Sequence, residues 1–379
     1  MLLIAAALAS ATSSTAELDP FLGSCAAQGM RLWQRSLCAP VVIVDPATGR
    51  YRSSQPAPAE PLPAMRANTA FKWGGADWIM VLEPLPPDPV ELASLLFHEA
   101  WHVRQAQLGF PANSAVAAHL DDATNRYLIR LEWAALARAL QARGAGGRAH
   151  AAQALAFRKQ RLARDPKAAD AERDQMRHEG VAAYTGAALS GASQRLALEA
   201  LKSGARRPAL GRSFAYASGP AWGLLLDRHR PDWRRLKTKL DLPEMMPLEA
   251  AAAARADDYG GTAILAEETL AAAERARRIK AAMAATAPAR ALRLPLAQMS
   301  MDFDPNRVSS GPDGSSLYEK INLGDRWGRI RIDGTPLRIA PDFTAAFAPW
   351  PLPSGALELA KGWRVEEQAG AGAALVPPG

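Results

Sequence analysis

Residues 88–103 read DPVELASLLFHEAWHV, and the way this stretch folds organises the rest of the chain. Asp88 followed by Pro89 is a helix start, because Asp accepts from the first unpaired N–H groups and Pro at the first position gives up an N–H that has no helical partner. Leu92, Leu95, Leu96, Trp101 and Val103 then make most of the helix apolar, which predicts a buried, central position. Inside it, His98-Glu99-Ala100-Trp101-His102 sets two imidazoles four residues apart, one above the other on a single face. Both can turn a ring nitrogen toward one metal ion without bending the backbone. Zinc takes about four ligands near tetrahedral angles, and a catalytic site keeps one position for a water whose pKa the ion lowers to about 7. Glu99, beside the first imidazole, is placed to take that water's proton and pass it to a leaving amine. The competing account is a buried helix that carries these residues by chance. Three polar side chains on so apolar a helix are costly without a shared partner, and the chain has only six histidines, which makes a chance pairing at this spacing unusual.

Working outward, 41–44 (VVIV) and 77–82 (DWIMVL) are predicted strands, the first ended by Asp45-Pro46 and the second by Pro84 and Pro86-Pro87. The Pro-rich run 53–63 between them is a predicted surface loop. Residues 18–34 have helical periodicity, and helical patterns resume from about 114 to 235 with breaks at 144–147, 165–166, 186–191, 204–208 and 219–220. A last long helix is expected over 263–285. Beyond it come short alternating runs, and Asp333-Gly334 is a two-residue hairpin signal. No internal repeats are present.

A third ligand is expected from a second helix, and two carboxylates compete. Glu132 sits inside the apolar stripe of Leu128 and Leu136, where a carboxylate needs a metal or an arginine as partner. Glu179, in HEGVAAYTG at 178–186, has small neighbours in Gly180 and Ala183, which let one helix approach another closely. Glu172, seven residues earlier on the same face, is a candidate hydrogen-bond partner for a ligand. Tyr184 and Tyr216 are candidate donors to a developing oxyanion, against the ordinary role of each as a core tyrosine with a satisfied hydroxyl. His119, His150, His178 and His229 lack metal spacing and are read as surface or structural.

HEAWH followed downstream by EGVAAYTG resembles the gluzincin branch of zinc metallopeptidases, over about 75–190. The resemblance implies His98, His102 and Glu179 as metal ligands, Glu99 as general base, and one zinc ion per chain. It also implies that a strand near the motif helix, here 77–83, lines up an extended peptide substrate. The long gap between His102 and Glu179 implies an inserted helical hairpin at about 115–165. The G-x-M-E-N signature of the gluzincin aminopeptidases is absent, so aminopeptidase activity is not implied. The metzincin H-x-x-G-x-x-H continuation is absent too.

The length of 379 residues allows two domains. The expected class is α+β: a mainly helical, zincin-like metallopeptidase domain with a short N-terminal sheet (17–245), a linking helix (246–289) and a small C-terminal antiparallel β domain (290–379). Met1 to Ala9 is an apolar segment followed by small residues up to Ala16, so 1–16 reads as a signal peptide, although no basic residue precedes it. Cys25 and Cys38, the only cysteines, are expected to form a disulfide in an exported protein, periplasmic or secreted; the alternative is two buried thiols. The net charge of +7 is spread along the chain without a basic stripe, which argues against nucleic acid as a partner, and no segment is long enough to span a bilayer. The expected activity is hydrolysis of peptide bonds in a peptide or protein. The alternatives are a zinc hydrolase of another amide or ester, and a non-catalytic envelope binding or assembly protein, against which the intact Glu99 argues.

Overall fold

The run Val41–Val44 has no polar position because both of its faces are covered. In the computed structural model, which describes residues 15–378 apart from 47, 64–65, 112–114, 237–238, 305–306 and 369–371, this strand (β1) is wholly buried. Val41 and Ile43 join the large helical core, while Val42 and Val44 pack on the other side with Trp73, Trp78 and Met80. An apolar run without alternation is what a strand with two covered faces requires. The export-signal stretch 1–16 lies outside the described residues except for Thr15 and Ala16.

Tyr51–Ser53 (β2), Thr69–Trp73 (β3) and Ala76–Leu82 (β4) complete the first sheet, in the order β2-β1-β4-β3. β4 runs parallel to β1, with Ile43 opposite Val81, and antiparallel to β3, with Phe71 opposite Trp78. This corrects the expectation that 77–83 aligns a substrate. The backbone of β4 is paired on both sides, and the outer strand on that side is β3. Its sequence, TAFKW, is half-buried to exposed up to the buried Trp73.

The helical layer consists of α1 (Asp19–Trp33), α2 (Pro89–Arg104), α3 (Ala123–Gln141), α4 (Gly144–Arg164), α5 (Ala168–Gln175), α6 (Val181–Leu189), α7 (Ser193–Gly204) and α8 (Phe214–His229), followed by the long α9 (Gly261–Ala285). Cys25 on α1 is joined to Cys38 in a disulfide. α3 and α4 form the helical hairpin expected at about 115–165. Between α5 and α6 the chain makes one π-helical turn, Met176–Gly180. The break expected at Gly219-Pro220 is absent, since both lie inside α8. Here the glycine answers a packing need: a Cβ at Gly219 would stand 2.2 Å from Gly180 O and 2.5 Å from Gly180 Cα. α8 therefore crosses the π turn at a distance only glycine permits.

Residues 291–376 build a second sheet around its own core of Leu292, Tyr318, Leu323, Trp327, Ile330 and Leu337, among others. Its strands are Ala291–Pro295 (β5), Ser300–Phe303 (β6), Val308–Ser310 (β7), Ser316–Asp325 (β8), Gly328–Ile339 (β9), Ala345–Pro349 (β10), Leu357–Leu359 (β11), Arg364–Gln368 (β12) and Gly372–Val376 (β13). Among the described residues every pairing in this sheet is antiparallel except that of β13 with β5. The hairpin expected at Asp333-Gly334 lies elsewhere: β8 turns into β9 at Arg326-Trp327, and β9 continues through Gly334. Tyr318 pairs with Leu337 but Lys320 with Asp333, so Gly334, at φ 83°, sits in a bulge. A glycine with positive φ serves a bulge as readily as a turn. The buried Ile330, Ile332, Leu337 and Ile339 select the bulge by keeping both halves of β9 on one core. The described residues are thus α+β, with two sheets. Among the described residues no helix is long and apolar enough to cross a membrane.

Candidate metal centre

Asp88 caps α2 by accepting from Val90 N at 2.8 Å, and Pro89 follows at the first position. The helix buries Leu92, Leu96, Phe97, Ala100 and Trp101. On the same helix His98 is 9 % and Glu99 only 4 % exposed. The π turn presents Glu179 to this face. α6 comes close enough to do so because Gly186 lies against Ser94, where a Cβ would meet Ser94 O at 2.3 Å.

The three candidate ligand atoms form a nearly equilateral triangle. His98 Nε2 and His102 Nε2 are 3.1 Å apart, and each is 3.3 Å from Glu179 Oε2. Tetrahedral zinc with bonds of about 2.05 Å separates its ligand atoms by about 3.3 Å, so the triangle fits that ion. Glu179 Oε2 is buried and makes no hydrogen bond of acceptable geometry. A buried carboxylate oxygen left in that state is costly, and a cation at the triangle's centre relieves it.

The electrostatics follow from the burial. Burial raises the Glu179 carboxyl, but its contacts with His102 and His98 prevail and leave it well below the usual range. Burial lowers His102, and Glu179 and Glu99 outweigh it, raising the imidazole to about 9. Glu99 is raised, chiefly by burial, against the pull of His98 and His102. Two carboxylates thus draw positive charge to the His102 imidazole. Tyr216, near the start of α8, stacks on His98 with ring centroids 5.4 Å apart and planes at 14°. Burial pushes its phenol well above the usual range, and the neighbouring Glu179 adds to the shift.

Three other candidates lie elsewhere. Glu132 accepts from Arg161 Nη1 at 2.7 Å and from Trp222 Nε1 at 3.0 Å, so its buried partner is an arginine. Glu172 belongs to the same buried network, accepting from Arg158 and Arg161 and contacting His119 Nε2 at 2.8 Å. It supports no ligand. Tyr184 donates to Asp227 Oδ2 at 2.8 Å and accepts from Arg234 at 2.6 Å, in an aromatic cluster with Trp33 and Trp233. Five residues beyond Glu179, it is turned away from the metal-binding face. His119 and His150 are structural as expected, His150 bonding the Tyr259 hydroxyl at 2.8 Å.

Two residues at the centre escaped the sequence reading. His178, read as surface or structural, places Nε2 3.4 Å from Glu179 Oε1 and its ring 4.8 Å from that of His102. Gln105 contacts both His102 and His178. Its position three residues after His102 was the available signal. For His178 there was none, because the π turn that aims it is not written in any local pattern. The chain matches no protein-family model, no curated protein and no solved structure with which it was compared.

Proposed function

We propose that the protein is a zinc-dependent metallopeptidase of the HExxH…E type, built on a zincin-like domain and acting on peptide bonds. The observation that carries this is the triangle of His98, His102 and Glu179 at 3.1–3.3 Å with the buried Glu99 beside it. His98, His102 and Glu179 would hold one zinc, which when bound supplies a Lewis acid and lowers the pKa of coordinated water to about 7. Glu99, with its carboxyl raised by burial, is suited to take a proton at neutral pH and return it to the leaving amine. The Tyr216 hydroxyl is the donor for the oxyanion that develops on the substrate carbonyl. A metal held only for structure needs no base, so the buried Glu99 favours catalysis over a purely structural site.

An extended substrate would pair with the outer strand β3 rather than with β4. The Cys25–Cys38 disulfide supports an exported protein, periplasmic or secreted. The deciding experiment digests a peptide library with and without a chelator, for the native protein and for Glu99→Gln. Cleavage that needs metal and vanishes in a zinc-loaded Glu99→Gln supports a peptidase. Activity of the variant equal to wild type would remove Glu99 as the base.

A further inference from the structure

Gln105 ends α2 one turn beyond the motif and is 3 % exposed. Its carboxamide has three neighbours: the Pro111 carbonyl, His102 Nδ1 at 2.8 Å and His178 Nδ1 at 2.8 Å. A carbonyl only accepts, so the end of the amide that faces Pro111 O is the NH2 group. That assignment fixes the others. The same NH2 group reaches His178 Nδ1, which must therefore offer a lone pair, and the proton of neutral His178 sits on Nε2. The amide oxygen faces His102 Nδ1, which must carry a proton there, so that in the neutral ring, the form a metal ligand takes, the Nε2 lone pair is turned toward His98 and Glu179.

We infer that Gln105 is a positioning residue that sets the tautomers of His102 and His178 together, and that His178 in turn holds Glu179. His178 Nε2 lies 3.4 Å from Glu179 Oε1, while Oε2 of the same carboxylate faces the two motif imidazoles at 3.3 Å. One amide thus aims the lone pair of one ligand and, through His178, commits one oxygen of another. The inference rests on the proposed metal site but not on peptidase activity.

The test uses the full chain labelled with ¹⁵N-histidine, loaded with zinc at pH 8, and records two-bond ¹H–¹⁵N correlations alongside a zinc titration against a competing chelator. In the native protein His178 is expected as the Nε2–H tautomer. Gln105→Glu keeps the acceptor for His102 but removes the donor for His178, so His178 should switch to Nδ1–H and release Glu179, and zinc affinity should fall, though less than in Gln105→Leu. Gln105→Leu removes both contacts and should weaken zinc binding about 10- to 100-fold. Should Gln105→Leu fail to fold, Gln105→Glu still decides through the tautomer. The inference is overturned by His178 as Nδ1–H in the native protein, by an unchanged tautomer in Gln105→Glu, or by wild-type zinc affinity in a folded Gln105→Leu. A native protein that binds no zinc removes the metal reading, and the tautomer measured without zinc then still answers for Gln105.

Discussion

His98 Nε2 and Glu179 Oε2 lie 3.3 Å apart, although one belongs to the motif helix and the other to a π turn reached only after the α3–α4 hairpin. The contact brings a buried, unbonded carboxylate oxygen to two imidazole nitrogens. Metal analysis of the purified protein should give about one zinc per chain. His98→Ala and Glu179→Ala should each lose it, and Glu132→Ala should keep it. Zinc retained by a folded Glu179→Ala would remove Glu179 from the ligand set.

Tyr216 stacks on His98, and in the proposed mechanism its hydroxyl donates to the oxyanion. Tyr216→Phe keeps the ring and removes only the hydroxyl. With a peptide substrate, kcat should fall about 10²- to 10³-fold, the loss typical of one oxyanion donor, with little change in KM. A loss confined to KM would make the hydroxyl a ground-state binding group.

Arg161 is fully buried between Glu132 and Glu172. Removing one carboxylate leaves its charge under-compensated, so Glu132→Ala should destabilise the fold by about 3 kcal/mol. Urea unfolding of the metal-free protein in chelator measures this without the contribution of zinc binding. Glu172 is held well below the usual carboxylate range: burial opposes this, but Arg161 and Arg158 outweigh it. Its contribution is therefore present above the unfolded value, about 4.3, and is lost as pH falls below it. Acid unfolding should begin at a higher pH in Arg158→Met than in the native chain.

His102 is raised to about 9, and zinc must displace its proton. Apparent zinc affinity should fall about tenfold per pH unit below 9 for that proton alone. Stability of the metal-free protein runs the opposite way. A raised imidazole stabilises fully below its unfolded pKa, about 6.5, and the contribution fades as pH rises through 9. Melting curves at pH 6 and pH 9, with chelator and with zinc, should show the metal-free protein losing stability at the higher pH and the zinc-loaded protein losing less. Zinc affinity independent of pH over this range would mean that zinc displaces no proton from His102.

Much of the motif helix was legible because its causes are local. Asp88-Pro89 caps it, the apolar positions bury it, and the four-residue spacing pairs His98 with His102 whatever surrounds them. The apolar runs of β1 and β4 and the Cys25–Cys38 pair were legible for the same reason. Where the causes lie far along the chain, local pattern gave no decision. Glu132 stands among leucines on α3 and Glu179 beside small residues on a π turn, and those neighbours do not say what either carboxylate touches. The arginine of α4 that claims Glu132, and the glycine contacts that bring Glu179 to α2, exist only after the helices pack. The outer position of β3 depends on pairing, which the TAFKW sequence does not announce. Gly219-Pro220 stays helical and Gly334 bulges because a neighbouring backbone or a shared core outweighs the local turn signal. The amino-acid sequence by itself determined two candidate ligands and a candidate base on one helix. The placement of Glu179, and of His178 and the Gln105 amide beside it, was decided by tertiary structure, since each depends on where a second segment meets that helix in space.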